Sequence, residues 1–176
     1  MSRTIYVDVF DPSSIDAAIR ELRDYQKWVE QKTAELRERV AELIQNEAQM
    51  TFYSAIADDL INEGAIIGGV DVTVESQGEN ITLVVANGED AVFMEFGAGV
   101  YHNGSVGSSP HPLGAGLGYT IGGYGKGNGA KEFWGFVGQD GEFHLTHGAP
   151  ASMPLYKAMM SVADDIERIA KEVFST

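Results

Sequence analysis

One carboxylate in the 176-residue chain sits in unusual company. Glu95 lies between Met94 and Phe96 in the apolar run "AVFMEFG", just before the glycine-rich stretch "GAGVYHNGS". An acid in apolar surroundings beside an adaptable loop is a setting in which general acids are tuned. Glycoside hydrolysis would need a second carboxyl about 5–10 Å away across a cleft, and Glu132, Asp140 and Glu142 are the nearby candidates. Four histidines, His102, His111, His144 and His147, fall in the same half of the chain. A hydrolase acting on cell-wall glycan or peptide, with Glu95 and these histidines, is therefore one reading.

Each fuller signature of chemistry is incomplete. "HLTH" has the i, i+3 spacing that places two imidazoles on one helical face for zinc. It reads here as a strand, where those positions point to opposite sides, so solvent-facing or backbone-bonded histidines are expected. "GYGKGNG" lacks the four-residue spacer and the Ser or Thr after Lys126 that a phosphate loop needs. No Gly-x-Ser-x-Gly nucleophile turn occurs. The residues thus predict no catalytic group, no cofactor and no metal, with Glu95 capping or pairing locally while Phe93, Met94 and Phe96 pack. The aromatics Tyr119, Tyr124, Phe133, Trp134 and Phe136 could stack on bases or sugars. Without an accompanying basic patch, they suit a protein–protein contact better.

Composition narrows the classes. The chain is 44% hydrophobic and 22% charged, as in ordinary globular domains, and its length suits one domain. Cysteine is absent, which excludes disulfides and thiolate chemistry and fits a reducing compartment. No apolar stretch is long enough to span a membrane, and "MSRTIYVDVF" does not read as a secretory signal. The net charge is −14, from 26 acids and 12 bases. Wrapping nucleic acid needs clustered bases, whereas an acidic surface suits a passage through which DNA slides without sticking.

Several elements must position these residues. "TIYVDVF", Thr4 to Phe10, alternates like a short strand. Asp11 and Pro12 then suit a helix start. Ile15, Ile19, Leu22, Val29, Leu36, Val40 and Leu43 recur at helical steps, continuing through Phe52 and Ile56 to a stop at Gly64. About 50 residues of unbroken helix would reach about 75 Å, too long for a small domain to cover. Either it breaks near Lys27 to Lys32 or part of its stripe meets another subunit. Gln26 and Thr33 interrupt the heptad seam, so an ideal coiled coil is not implied.

"GVDVTVES" and "NITLVVAN" predict a β-hairpin, and "EDAVFMEFG" a short helix closed by Gly97. Sixteen of the 21 glycines lie between Gly97 and Gly148. Within this stretch, Asn103 to Ala130 is expected to be a mobile arm that orders at an interface. "EFWGFVGQDGEFHLTHG" predicts a second hairpin. The last helix starts around Pro154, with Leu155, Met159, Val162, Ile166, Ile169 and Val173 on its apolar face.

The reading is a single α+β domain, 1–176, with a long N-terminal helix and a C-terminal helix packed on a small antiparallel sheet, and a glycine-rich loop insertion. Its parts are a long or broken helix over 11–63, a hairpin and short helix over 69–96, a glycine-rich arm over 97–132, and a hairpin and C-terminal helix over 133–176.

In this order the elements resemble the small neck proteins of long-tailed double-stranded DNA bacteriophages and prophages, variously called tail-completion, head–tail joining or minor tail proteins. The resemblance rests on "FMEFGAGVY", with Glu95, Phe96, Gly97, Gly99 and Tyr101, and on "THGAPASMPLYKA", with Gly148, Pro150 and Pro154. Where many members carry a Thr-Gly-x-Leu segment, this chain reads "SAIADDLINEGAIIGG", and its glycine-rich insertion is longer. The resemblance implies a structural virion protein, assembled in the host bacterial cytoplasm. It would form a homo-oligomeric ring, a hexamer, at the head-proximal end of the tail. The implied partners are a tail-tube or tail-terminator protein and a head connector or stopper protein. DNA would pass through the channel without sequence-specific binding, and no membrane is involved. Tyr119, Tyr124 and Trp134 join the motif residues as interface candidates.

Overall fold

The computed structural model describes residues 4–62, 69–78, 80–99, 109–117, 133–137, 141–146 and 148–175. The long apolar repeat folds as one unbroken helix, α1 (Pro12–Asn62). Its start is built as the sequence predicts. The Asp11 carboxylate accepts from the Ser13 N–H at 2.9 Å and from the Ser13 hydroxyl. Pro12 occupies the first helical position, where a missing N–H costs nothing. No break occurs near Lys27 to Lys32.

The first hairpin pairs β1 (Asp71–Gln77) with β2 (Ile81–Asn87) in an antiparallel register from Asp71↔Asn87 to Gln77↔Ile81. Its base closes tightly. Gly88 has φ 153°, and a Cβ there would meet the Gly69 carbonyl at 2.6 Å. Two α1 side chains grip the outer edge of β1. Gln49 accepts from the Val72 N–H at 2.7 Å and donates to the Val70 carbonyl at 2.8 Å, while Gln45 donates to the Val72 carbonyl at 2.7 Å.

Next come the short helix α2 (Ala91–Phe96) and a two-residue strand β3 (Ala98–Gly99). The second hairpin joins β4 (Trp134–Val137) to β5 (Phe143–Thr146), and β6 (Gly148–Ala149) returns to pair with β3. The C-terminal helix α3 (Pro154–Ser175) then runs antiparallel along α1. That direction follows from its contacts: Ala158 shares a cluster with Ala48 and Phe52, Glu172 meets Arg39 at 3.0 Å, and Phe174 packs edge-on against Trp28 at 5.7 Å. The arrangement is α+β, with two long helices and small antiparallel sheets.

Ala48, Phe52, Val70, Val72, Ala91, Met94 and Ala158 form the core, where α1, the first hairpin, α2 and the start of α3 converge. Small residues carry more of it than hydrophobicity alone suggests. On α1 the buried face runs through Ala41, Ala48 and Phe52, while Leu43, expected on the stripe, is exposed. On α3 the face is Pro154, Ala158, Val162, Ile169 and Val173, and the expected Met159 and Ile166 are exposed. Alanines thus occupy the facing positions of the two helices, and the larger neighbours Leu43, Met159 and Ile166 lie outside the buried face.

One further expectation changes. Thr4 to Phe10 makes no strand ladder; it ends in a turn at Val9–Phe10, in which the Asp8 carboxylate accepts from the Phe10 N–H. At the same end, α1 extends past α3. A 22-residue helix covers about 33 Å, and it stops beside Trp28. Ile15, Ile19, Leu22 and Tyr25 are left exposed, Leu22 by 55%.

Candidate functional site

Helix α2 is under two turns long and stops at Gly97, whose φ of 83° and ψ of 164° suit glycine alone. The stop fixes where Glu95 points. Its Oε2 accepts from the Leu155 N–H at 2.8 Å, and its Oε1 from the Tyr156 N–H at 2.9 Å. These are the second and third residues of α3, whose first-turn N–H groups have no partner within the helix. Pro154 at the first position brings no N–H. The buried carboxylate thus caps a helix whose second residue lies 60 positions later in the chain, and its charge faces the positive end of that helix.

A third donor comes from the glycine-rich segment. His111 Nε2 lies 3.0 Å from Glu95 Oε1, and His111 Nδ1 accepts from the Leu113 N–H at 3.0 Å. Because Nδ1 must be the lone pair toward Leu113, the neutral ring carries its proton on Nε2 and donates it to Glu95. The ring is held between Phe96 at 4.5 Å and Tyr156 at 5.0 Å. Ser109 anchors the segment, donating its hydroxyl proton to the Phe96 carbonyl at 2.5 Å and accepting from the His111 N–H at 3.2 Å.

Main-chain bonds join the same parts. The Met94 carbonyl accepts from Ser152 at 2.8 Å and Met153 at 3.3 Å, and β3 pairs with β6 through Ala98↔Ala149 and Gly99↔Gly148. Met153 takes a positive φ of 55° to make this turn. A non-glycine residue holds that conformation only where its surroundings enforce it.

The motif residues therefore divide. Glu95, Phe96 and Gly97 build this clamp with Pro154 at the start of α3, while Gly99 and Gly148 face each other in its two-residue ladder. Pro150 is exposed just after that ladder. Trp134 lies in β4, and its side chain is outside the described residues, as are Tyr101, Tyr119 and Tyr124. His102, His147, Lys126, Glu132 and Asp140 also lie outside them. Glu142 is exposed and His144 half-buried in the second hairpin; neither bonds to Glu95.

His111 meets the second of the two expected settings and adds a partner to it. It is backbone-bonded, 5% exposed, and the partner of Glu95. Within Asn103 to Ala130, Ser109–Leu117 is described, and Ser109 and His111 seat it against α2 and α3, while Leu113 and Leu117 are exposed; the rest of that range lies outside the described residues. The signal missed was "SPHP": two prolines stiffen a histidine inside a tract otherwise rich in glycine.

Chemically, the arrangement holds elements together and offers little to a substrate. Glu95 accepts three hydrogen bonds, and both His111 nitrogens are engaged. Glu95 is 6% exposed, whereas a general acid or base must reach its substrate. Among the described residues, no group of three or more His, Asp or Glu is placed to hold a metal, and no helix is long and apolar enough to cross a membrane. No protein-family model, curated protein or solved structure matches the chain.

Proposed function

We propose that the protein is a structural component of a bacteriophage or prophage neck. It completes the tail end, or joins the tail to the head connector, as a homo-oligomeric ring around the DNA channel. The observation that carries this reading is the uncovered apolar stripe of α1, Ile15, Ile19, Leu22 and Tyr25, which extends past the end of α3. A stripe that its own chain leaves bare is completed by a neighbour, and a head-to-tail contact repeated around an axis closes a ring. The resemblance of the two motif stretches points the same way. Their role in the fold is to fasten α2 to α3, as an assembly subunit with a fixed core requires.

The partners in this reading are six copies of the chain, a tail-tube or tail-terminator protein on one side and a head connector or stopper protein on the other. A charge of −14 per subunit would let DNA pass without being held. Glu95 has no catalytic part here, because its oxygens and the His111 ring are taken up inside the clamp. Sedimentation and negative-stain electron microscopy of the purified protein, with and without a tail-tube protein, test the reading. Rings with an axial hole are expected. A protein that stays monomeric and binds neither tail nor connector proteins overturns it. So does peptidoglycan turnover that disappears in Glu95→Gln.

A further inference from the structure

The segment Thr4 to Phe10 has the alternation of a strand yet joins no ladder among the described residues; its bonds are the local ones at Asp8, whose N–H donates to the Ser14 hydroxyl and whose carbonyl accepts from Asp11. Ile5 and Val7 share one face of its part before the turn, and Tyr6, Val7, Val9 and Phe10 are all exposed, Phe10 by 92%. A sheet edge is the natural partner of such a segment. The described residues leave one undefended.

The two edges of the first hairpin are treated differently. The N–H and C=O of Val72 point at Gln49 and Gln45, so Val72↔Ala86 is a pair without mutual hydrogen bonds. By alternation the same holds for Val74↔Val84 and Ser76↔Thr82. The outer edge of β1 is thus occupied in part by glutamine amides. On the far side, the N–H and C=O groups of Thr82, Val84 and Ala86 point outward, and no strand among the described residues takes them. Exposed edges are ordinarily protected by lysine, proline or a bulge. The β2 sequence "ITLVVAN" has neither residue, and its register with β1 is continuous. On its face away from the core, Ile81 and Leu83 are exposed as well.

The segment cannot reach this edge within one molecule. From Pro12 to Gln45, α1 rises about 50 Å. The hairpin passes Gln45 at Val72, and five more residues to Gln77 bring its tip back by at most about 17 Å. The remaining gap of about 33 Å exceeds the roughly 23 Å that seven extended residues span. A rigid helix holds strand and edge apart in every copy, so the partner is another copy.

We propose that Thr4–Phe10 of one subunit adds as a third strand to the outer edge of β2 in a second copy of the chain. The donor end and acceptor edge are different surfaces, so in the ring reading each subunit gives its segment to one neighbour and takes one from the other, a head-to-tail contact. The inference rests on the assembly reading and names the contact that carries it.

Because the chain has no cysteine, the contact can be trapped without background. Full-length Tyr6→Cys or Val7→Cys, which sample both strand faces, is mixed with full-length Leu83→Cys and oxidised. Intermolecular disulfides are expected from one of the two mixtures. None are expected when Leu83→Cys is replaced by Met160→Cys, an exposed position on α3. Removing residues 4–10 should convert the oligomer to monomers while leaving the urea midpoint of the subunit unchanged. An oligomer that survives the deletion, or one that gives no disulfide in either mixture, overturns strand donation and leaves the ring reading standing. A full-length protein that is monomeric with its tail and connector partners present overturns the ring reading itself.

Discussion

Glu95 satisfies the start of α3 and fixes the segment around His111 with one carboxylate. In Glu95→Gln, one carboxylate oxygen becomes an amide that cannot accept, so a buried donor, at Leu155, Tyr156 or His111, is left unmet. Loss of such a bond costs about 1–3 kcal/mol, and the urea midpoint should fall accordingly. His111→Phe keeps an aromatic ring between Phe96 and Tyr156 but removes the Nε2 donor, and is expected to cost about 1–3 kcal/mol. Because the two side chains touch, the double variant should depart from additivity by about 0.5–3 kcal/mol. Additive losses, or an unchanged midpoint in Glu95→Gln, would mean that the clamp is not what holds α2 to α3. Sequence placed Glu95 at a junction, but the spacing between residues 95, 111 and 155 carries no period that pairs them.

At the scale of elements, α1 shows how local and long-range terms divide. Its start is local. Bonds from the Ser13 side chain and backbone hold the Asp11 carboxyl below its ordinary value of 3.8. A depressed carboxyl contributes stability above its unfolded value and loses it as pH falls through the folded value. The first-turn amides, Ser13 to Asp16, should therefore lose hydrogen-exchange protection as pH drops below about 3.8. The same amides in Asp11→Asn should show no such step. The other end of α1 is held by packing. Phe52 is fully buried among Val70, Met94 and Ala158, and Phe52→Ala is expected to cost about 3–5 kcal/mol in urea unfolding. A cost below about 1 kcal/mol would mean that the helices repack around the gap. Helix periodicity was legible here, but the buried alanines were not, since a small residue signals a close approach only when its neighbour is known.

For the whole molecule, charge and exposed apolar surface act against each other. Subunits carrying −14 each repel one another at low ionic strength, and salt screens that repulsion. Raising sodium chloride from about 20 mM to about 500 mM, which shortens the screening length several-fold, should therefore strengthen assembly as read by sedimentation. Assembly that weakens with salt would point instead to attractive ion pairs at the contact. Ile19→Glu combined with Leu22→Glu places acids on the uncovered stripe. It should dissolve the oligomer while changing subunit stability by no more than about 0.5 kcal/mol, as for exposed positions generally. A large loss of subunit stability would show that the stripe is packed within its own chain.

By itself, the sequence determined the elements whose causes are local: the cap at Asp11 and Pro12, the apolar repeat of α1, the two hairpins, and the glycine stop after Glu95. These follow from side-chain period, turn chemistry and allowed backbone angles, which are properties of neighbouring residues. Tertiary structure alone decided the rest. It left α1 unbroken because α3 and the hairpin hold its second half, and it left Thr4–Phe10 without a ladder because a long rigid helix keeps that segment from its own sheet. It also joined "MEFGAG" to "GAPASMPLY" across about fifty residues, with Glu95 capping α3 and Gly99 facing Gly148. Such pairings depend on which chain ends meet after folding, and no local pattern encodes that.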